Sequence, residues 1–125
     1  MLKIVPVYAA VLALLFLMLS VRVIRARRGN DVGFGSAGND DLERRIRVHG
    51  NFAEYVPFAL LLLAMAEWRG GNPLILNALC ALLLAGRIAH AVFLSRPSTD
   101  AIGRVVGMTG TQTAILGAAL LLLAG

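Results

Sequence analysis

Apolar runs of membrane length make up most of this chain of 125 residues and predict four α-helices. Each run approaches the roughly 20 apolar residues that a helix needs to cross the hydrocarbon core of a bilayer. Short polar segments containing glycine or proline separate the runs. We therefore predict an all-α integral membrane protein, a four-helix bundle with up-down topology and a single domain covering residues 1–125. The predicted spans are residues 4–27, 40–67, 73–95 and 99–124.

The first apolar run ends in a cluster of arginines, Arg22, Arg25, Arg27 and Arg28. A signal peptide would have a shorter apolar region of about 7–15 residues and a small-residue cleavage site, so the cluster is more typical of a stop-transfer flank. Seven of the twelve basic residues are arginines between Arg22 and Arg47. The positive-inside rule therefore predicts that the first and third loops are cytoplasmic and that both termini lie outside.

Composition narrows the class of protein further. Hydrophobic residues are 58% of the chain and charged residues 15%, whereas soluble domains have about 25% charged residues. The net charge of +5 is concentrated beside apolar runs, which argues against a nucleic-acid-binding surface. The chain has one cysteine, Cys80, which can form neither an internal disulfide nor a metal cluster, so we predict no metal site.

Local signals suggest how the helices begin and pack. Asp40, followed by Glu43 three residues later, is typical of a helix N-cap with its capping-box partner. Small residues at four-residue spacing allow helices to approach closely, so they indicate helix packing rather than chemistry. These small residues are Ala81, Ala85 and Ala89 in the third run and Gly103 and Gly107 in the fourth.

Polar residues inside the predicted spans are candidates for a functional site. A charge at the bilayer centre costs roughly 2.5–3.5 kcal/mol on insertion scales, so such residues usually face the bundle interior. Arg44, Arg47, Asn51 and Glu54 are three or four residues apart and lie on one face of the second helix. We expect this face to meet the polar residues of the third and fourth helices in one pocket at the cytoplasmic end. Those residues are Arg87, His90 and Arg104.

The charges of this predicted pocket favour an anionic ligand. Four arginines would face one carboxylate, Glu54, and an arginine binds a carboxylate through two parallel hydrogen bonds. Glu54 would accept an ammonium group, so a small peptide with two carboxylates and one ammonium matches the set. These residues also have simpler possible roles. Arg44 and Arg45 could face water or lipid phosphates, and Arg47 could pair with Glu54 without any ligand. His90 could serve as a packing residue.

The second helix carries a family motif. It reads Arg47, then Asn51 four residues later, Glu54 three further, Tyr55 and Pro57. This pattern resembles the signature of the MAPEG family, the membrane-associated proteins in eicosanoid and glutathione metabolism. The third run contains Arg87-Ile88-Ala89-His90, which is similar to the Arg-x-x-His stretch of microsomal prostaglandin E synthases. The resemblance covers nearly the whole chain and is closest to a bacterial-type member.

The resemblance implies a homotrimer in the bacterial inner membrane, with glutathione as co-substrate bound between neighbouring protomers. By motif it places Arg47, Asn51, Glu54 and Tyr55 in glutathione binding, with Arg87 and His90 lining the same site. Arg104 corresponds to the family arginine that activates the glutathione thiol. The implied function is a membrane-embedded glutathione-dependent transferase or peroxidase that acts on lipophilic electrophiles.

One position departs from the family pattern. Leu94 occupies the place where catalytic members commonly have a tyrosine. A non-catalytic membrane protein that binds lipid or glutathione is therefore the alternative. A small multidrug transporter has a similar length and number of spans, but it uses a glutamate in its first helix, and the first helix here has no acid.

Overall fold

A computed structural model describes residues 1–124, except for the side chain of Asp100. The helices are α1 (Val5–Gly29), α2 (Asp40–Trp68), α3 (Pro73–Leu94) and α4 (Asp100–Ala124), and a short 3₁₀ turn (Pro97–Thr99) precedes α4. All four helices are long and apolar enough to cross a membrane. The predicted all-α fold of four spanning helices is confirmed, and the helix ends lie within two residues of the predicted ones.

The N-cap of α2 lies one residue before the predicted one. The N-cap is Asn39, whose Oδ1 accepts a hydrogen bond from the Leu42 amide at 3.0 Å. Asp40 is instead the first helical residue, so the predicted capping box with Glu43 is wrong. Both carboxylates remain in the first helical turn, where they interact favourably with the helix dipole.

Polar side chains hold both ends of α1. Its N-terminus has no cap of its own, but Glu67 near the end of α2 accepts hydrogen bonds from the amides of Ile4 at 2.7 Å and Val5 at 2.8 Å. Near the other end, Arg22 donates from Nη2 to Ser95 Oγ at 3.0 Å. Between these contacts α1 packs on α2 and α3.

The closest helix pair is α3 and α4, which pack through glycines. Gly107 lies against the backbone of Gly86 and His90, and Gly103 lies against Phe93 and Leu94. The packing signal at Gly103 and Gly107 therefore corresponds to a close contact with α3. The α3 alanines do not form this contact within the chain, because Ala81 and Ala85 are exposed and Ala89 is only half-buried. The side of α3 that faces α4 instead carries Gly86 and the buried His90. Arg87, the other polar residue that α3 buries, donates a hydrogen bond to Asn51 on α2.

Candidate functional site

A cavity of about 290 Å³ lies between α2, α3 and α4, at the end of the bundle where α2 and α4 begin and α3 finishes. This volume is at the lower limit of ligand pockets, which hold roughly 300–1,000 Å³, so the cavity suits a small ligand. Five of the sequence-predicted residues share this cavity: Arg44, Arg47, Asn51, His90 and Arg104. The complete lining is Glu43, Arg44, Arg47, Asn51, His90, Leu94, Arg104 and Met108.

The lining combines long exposed cations with a buried wall. Arg47 and Arg104 are exposed and Arg44 is half-buried, so their guanidinium groups can reach a ligand in the cavity. His90 is 3% exposed, and its β-carbon lies against Gly107. The imidazole is therefore fixed by packing, while the arginines on α2 and α4 have more freedom to adjust to a bound anion.

Arg87 supports the cavity from below rather than lining it. The side chain is 1% exposed, and Nη1 donates a hydrogen bond to Asn51 Oδ1 at 2.8 Å. Its Nε and Nη2 atoms have no hydrogen-bond partner among the described residues. A buried guanidinium of this kind is costly, so it is a common feature of functional sites rather than of stable cores. Arg87 would therefore act on a ligand in two indirect ways: it orients Asn51, and it adds a positive charge near the cavity.

Glu54 and Tyr55 do not line this cavity, although the sequence predicted one common pocket. They line a separate groove of about 470 Å³ between α2 and α4, with Gln112 and Ile115 on the opposite side. Glu54 is exposed, and among the described side chains it forms no ion pair with Arg47. The seven residues from Arg47 to Glu54 are about two turns, so the two share a face but lie about 10 Å apart along the axis.

Two cavity residues were not recognised in the sequence, Glu43 and Met108. Glu43 is the one acid that lines the cavity. It lies four residues before Arg47, so the stripe on α2 continues one turn closer to its N-terminus than predicted. The interpretation of Glu43 as a capping residue obscured this signal. Met108 lies four residues after Arg104, and its spacing on α4 is equally regular.

The charge balance of the cavity is positive. Arg44, Arg47 and Arg104 line it and Arg87 lies beneath Asn51, against the single carboxylate of Glu43. Among the described side chains, the one ion pair joins Arg45 and Asp41 at 2.9 Å on the surface of α2. The cavity cations therefore remain available for an anionic ligand, with Glu43 available for a cationic group of the same ligand.

Leu94 also lines the cavity and is 8% exposed. It is the position at which the family resemblance leads one to expect a tyrosine. The cavity wall is therefore aliphatic at this position, whereas a tyrosine there would offer a hydroxyl that can donate a hydrogen bond. No second tyrosine compensates for it there, because Tyr8 lies on α1 and Tyr55 lines the separate groove.

The fold and the cavity define a class: a four-helix integral membrane protein with a cavity lined by arginines at one end of the bundle. The chain belongs to the MAPEG family, whose family model matches residues 5–124. It is also 37% identical over 83 residues to proteins of two Escherichia coli strains, each called "Inner membrane protein YecN". That alignment covers 66% of this chain and 63% of each relative. No solved structure matches the chain significantly.

Proposed function

We propose that the protein is a glutathione-dependent transferase or peroxidase that acts on lipophilic electrophiles within the membrane. The observation that carries the proposal is the convergence of Arg44, Arg47 and Arg104 from two helices on one cavity, with Asn51 and His90 in its wall. Glutathione has two carboxylates, one ammonium group and one thiol. Membership of the MAPEG family supports the same ligand.

The proposed binding roles follow from the chemistry of each side chain. Arg44 and Arg47 bind the carboxylates, because guanidinium groups match carboxylates in geometry and charge. Glu43 accepts the ammonium group, since it is the acid that lines this cavity. Asn51, oriented by the 2.8 Å hydrogen bond from Arg87, contacts the peptide backbone of the ligand. His90 lines the floor beside it.

Arg104 is the proposed catalytic residue. A thiol with a pKa of about 8.5 is only slightly ionised at neutral pH, and a nearby fixed cation favours the thiolate. The thiol proton passes to solvent, and the thiolate sulfur then attacks the electrophilic carbon of a lipophilic substrate, where the new C–S bond replaces the bond to a leaving group such as halide. With a lipid hydroperoxide the sulfur attacks one oxygen, the O–O bond breaks, and the lipid alkoxide leaves and is protonated by solvent. A second glutathione then reduces the resulting sulfenic acid to the disulfide, with release of water. Arg104 stabilises the negative charge on the sulfur before this attack.

A homotrimer is the proposed assembly, with glutathione bound near a protomer interface. Glu54 and Gln112 are exposed along the groove between α2 and α4, within segments that are apolar enough to span a membrane. Polar groups facing lipid at that depth are unfavourable, and contact with a second copy removes them from lipid. Glu54 and Tyr55 would then complete the glutathione site from a neighbouring copy. The apolar walls of the groove would admit the lipophilic substrate.

The proposed location is the inner membrane of a bacterium, which is the location stated in the name of the E. coli relatives. The arginine-rich end of the bundle, which holds the cavity, faces the cytoplasm by the positive-inside rule. Both termini then lie outside. A reporter enzyme that is active only in the cytoplasm, fused to the C-terminus, should remain inactive; an active fusion would reverse this orientation.

Conjugation of glutathione to a lipophilic aryl halide by the purified protein in detergent tests the proposed activity. Arg104→Ala should abolish turnover but retain glutathione binding, whereas Arg25→Ala, which removes an exposed arginine outside the cavity, should leave both unchanged. Glutathione at a hundred times its dissociation constant should stabilise the protein by about 2.7 kcal/mol. Saturable binding without turnover on any electrophile or peroxide would reject catalysis.

A non-catalytic binding protein is the second candidate, and the observation that favours it is Leu94 in the cavity wall. An aliphatic side chain cannot donate a hydrogen bond to the sulfur or to a developing oxyanion. Leu94→Tyr distinguishes the two candidates. For an enzyme that lacks the hydroxyl, this substitution should raise turnover; for a binding protein, it should change affinity alone.

A further inference from the structure

A second groove, separate from the cationic cavity, lies between α1 and α3 at the same end of the bundle. Its volume is about 300 Å³. One end of the groove carries Arg22, Ser95 and Arg96, and the rest of its wall is apolar, including Met18, Ile88 and Val92. The glutathione proposal uses none of these side chains. The groove therefore requires an explanation of its own.

Hydrogen bonds hold the side chains at the cationic end of this groove in place. Arg22 is half-buried, and its Nη2 donates to Ser95 Oγ at 3.0 Å, which holds the guanidinium against α3. The Ser95 hydroxyl donates in turn to the Ala91 carbonyl oxygen, so its lone pairs remain free to accept from Arg22. Arg22 retains further N–H donors after this hydrogen bond, and Arg96 is exposed one residue beyond Ser95.

The apolar part of the groove extends from this end toward the middle of the membrane-spanning segments. On α1 it continues from Arg22 through Met18 to Leu15, a distance of about 10 Å along the helix axis. On α3 the exposed side chains of Ile88 and Val92 form the facing wall. The groove is therefore cationic toward the arginine-rich end of the bundle and apolar toward the middle of the spanning helices.

We propose that this groove binds one anionic phospholipid, with the phosphate on Arg22 and Arg96 and an acyl chain along Leu15, Met18, Ile88 and Val92. Guanidinium groups form strong charge-assisted hydrogen bonds with phosphate oxygens. Basic residues immediately beside a spanning helix are the usual determinants of anionic-lipid binding. A zwitterionic lipid would bring a cationic choline group to the same two arginines and bind less well.

Lipid retention by the full-length protein, followed by native mass spectrometry from detergent, tests the site. The protein is incubated with phosphatidylglycerol and phosphatidylcholine of identical acyl chains. The charge variant is Arg22→Gln with Arg96→Gln. Its matched control is Arg25→Gln with Arg28→Gln, which removes the same charge from arginines that do not line the groove. Ile88→Trp fills the apolar part of the groove while retaining both arginines.

One phosphatidylglycerol should be retained per chain in preference to phosphatidylcholine. The charge variant should bind it roughly tenfold more weakly or worse, as expected for lost hydrogen bonds to a charged group, and the matched control should bind normally. Ile88→Trp should also weaken retention. If the charge variant and the matched control lost the same affinity for phosphatidylglycerol, general surface charge would explain binding and the proposed site would be wrong. Equal retention of phosphatidylcholine, or full displacement by soluble glycerol phosphate, would overturn the lipid assignment.

Discussion

Gly107 lies in the close contact between α4 and α3, and its replacement by alanine should weaken the bundle. A β-carbon at this position would clash with the His90 β-carbon and would lie 2.9 Å from the Gly86 carbonyl oxygen and 3.0 Å from the His90 α-carbon. These are backbone and β-carbon atoms, which no change of side-chain rotamer can move. The two helices would have to separate.

The size of the effect follows from two opposing terms. Overpacking a tight contact costs about 1–3 kcal/mol, and replacing a helical glycine by alanine returns up to about 1 kcal/mol of helix propensity. We therefore expect Gly107→Ala to lower the free energy of unfolding by about 1–2 kcal/mol. Gly50, in α2, is the matched control, because a β-carbon there would meet nothing within 4 Å. Gly50→Ala should raise the free energy of unfolding by about 0.5–1 kcal/mol.

Unfolding in detergent micelles by added dodecyl sulfate, followed by far-ultraviolet circular dichroism, measures both variants. The two midpoints should move in opposite directions from that of the unmodified protein. Because His90 is part of the contact, Gly107→Ala should also weaken glutathione binding, whereas Gly50→Ala should not. If Gly107→Ala were as stable as Gly50→Ala, the backbone contact between α3 and α4 would not hold the bundle as we describe.

Three further substitutions probe separate features. Glu67→Ala should destabilise the protein by about 1–2 kcal/mol, because it removes the cap of α1, and Glu67→Gln should recover part of this in the same unfolding assay; equal losses would contradict a capping role. Arg87→Met should leave thermal stability unchanged or raise it, because two nitrogens of the buried guanidinium lack hydrogen-bond partners among the described residues. The same substitution should weaken glutathione binding, because Asn51 loses the hydrogen bond that orients it. Unaltered affinity for glutathione would refute this role of Arg87. Glu43→Gln should weaken binding of glutathione but not of an analogue without its amino group, measured by calorimetry against Asp41→Asn; equal losses for the two ligands would exclude contact with the ammonium.

The helices were predictable because each apolar run is long and ends at an evident polar boundary. The N-cap of α2 was less certain from sequence, since Asn39 and Asp40 are adjacent and both have oxygen acceptors suited to capping. The packing face of α3 was also missed. Small alanines suggested close contact there, but burial of Arg87 and His90 decides which side of α3 turns inward.

The sequence indicated which face of α2 carries the site, but not how far along the helix axis the site extends. Helical periodicity correctly indicated that Arg47 and Asn51 share a face, and they do line one cavity. The same periodicity includes Glu54, but it does not specify which part of α4 lies opposite each turn. Arg104 and Met108 lie opposite the first turns of that face, whereas Gln112 and Ile115 lie opposite Glu54. This pairing depends on how the helices are offset along their axes, which a single sequence does not encode visibly.

The glycine contact between α3 and α4 also bears on how proteins of this architecture diverge. Main-chain atoms set the spacing between these two helices, so few substitutions at Gly86, Gly103 or Gly107 preserve the bundle. The opposite wall of the cavity consists of long side chains on α2, such as Arg44 and Arg47, whose replacement leaves the backbone in place. New ligand preferences in related proteins should therefore arise mainly from exchanges on α2, while the glycines stay unchanged.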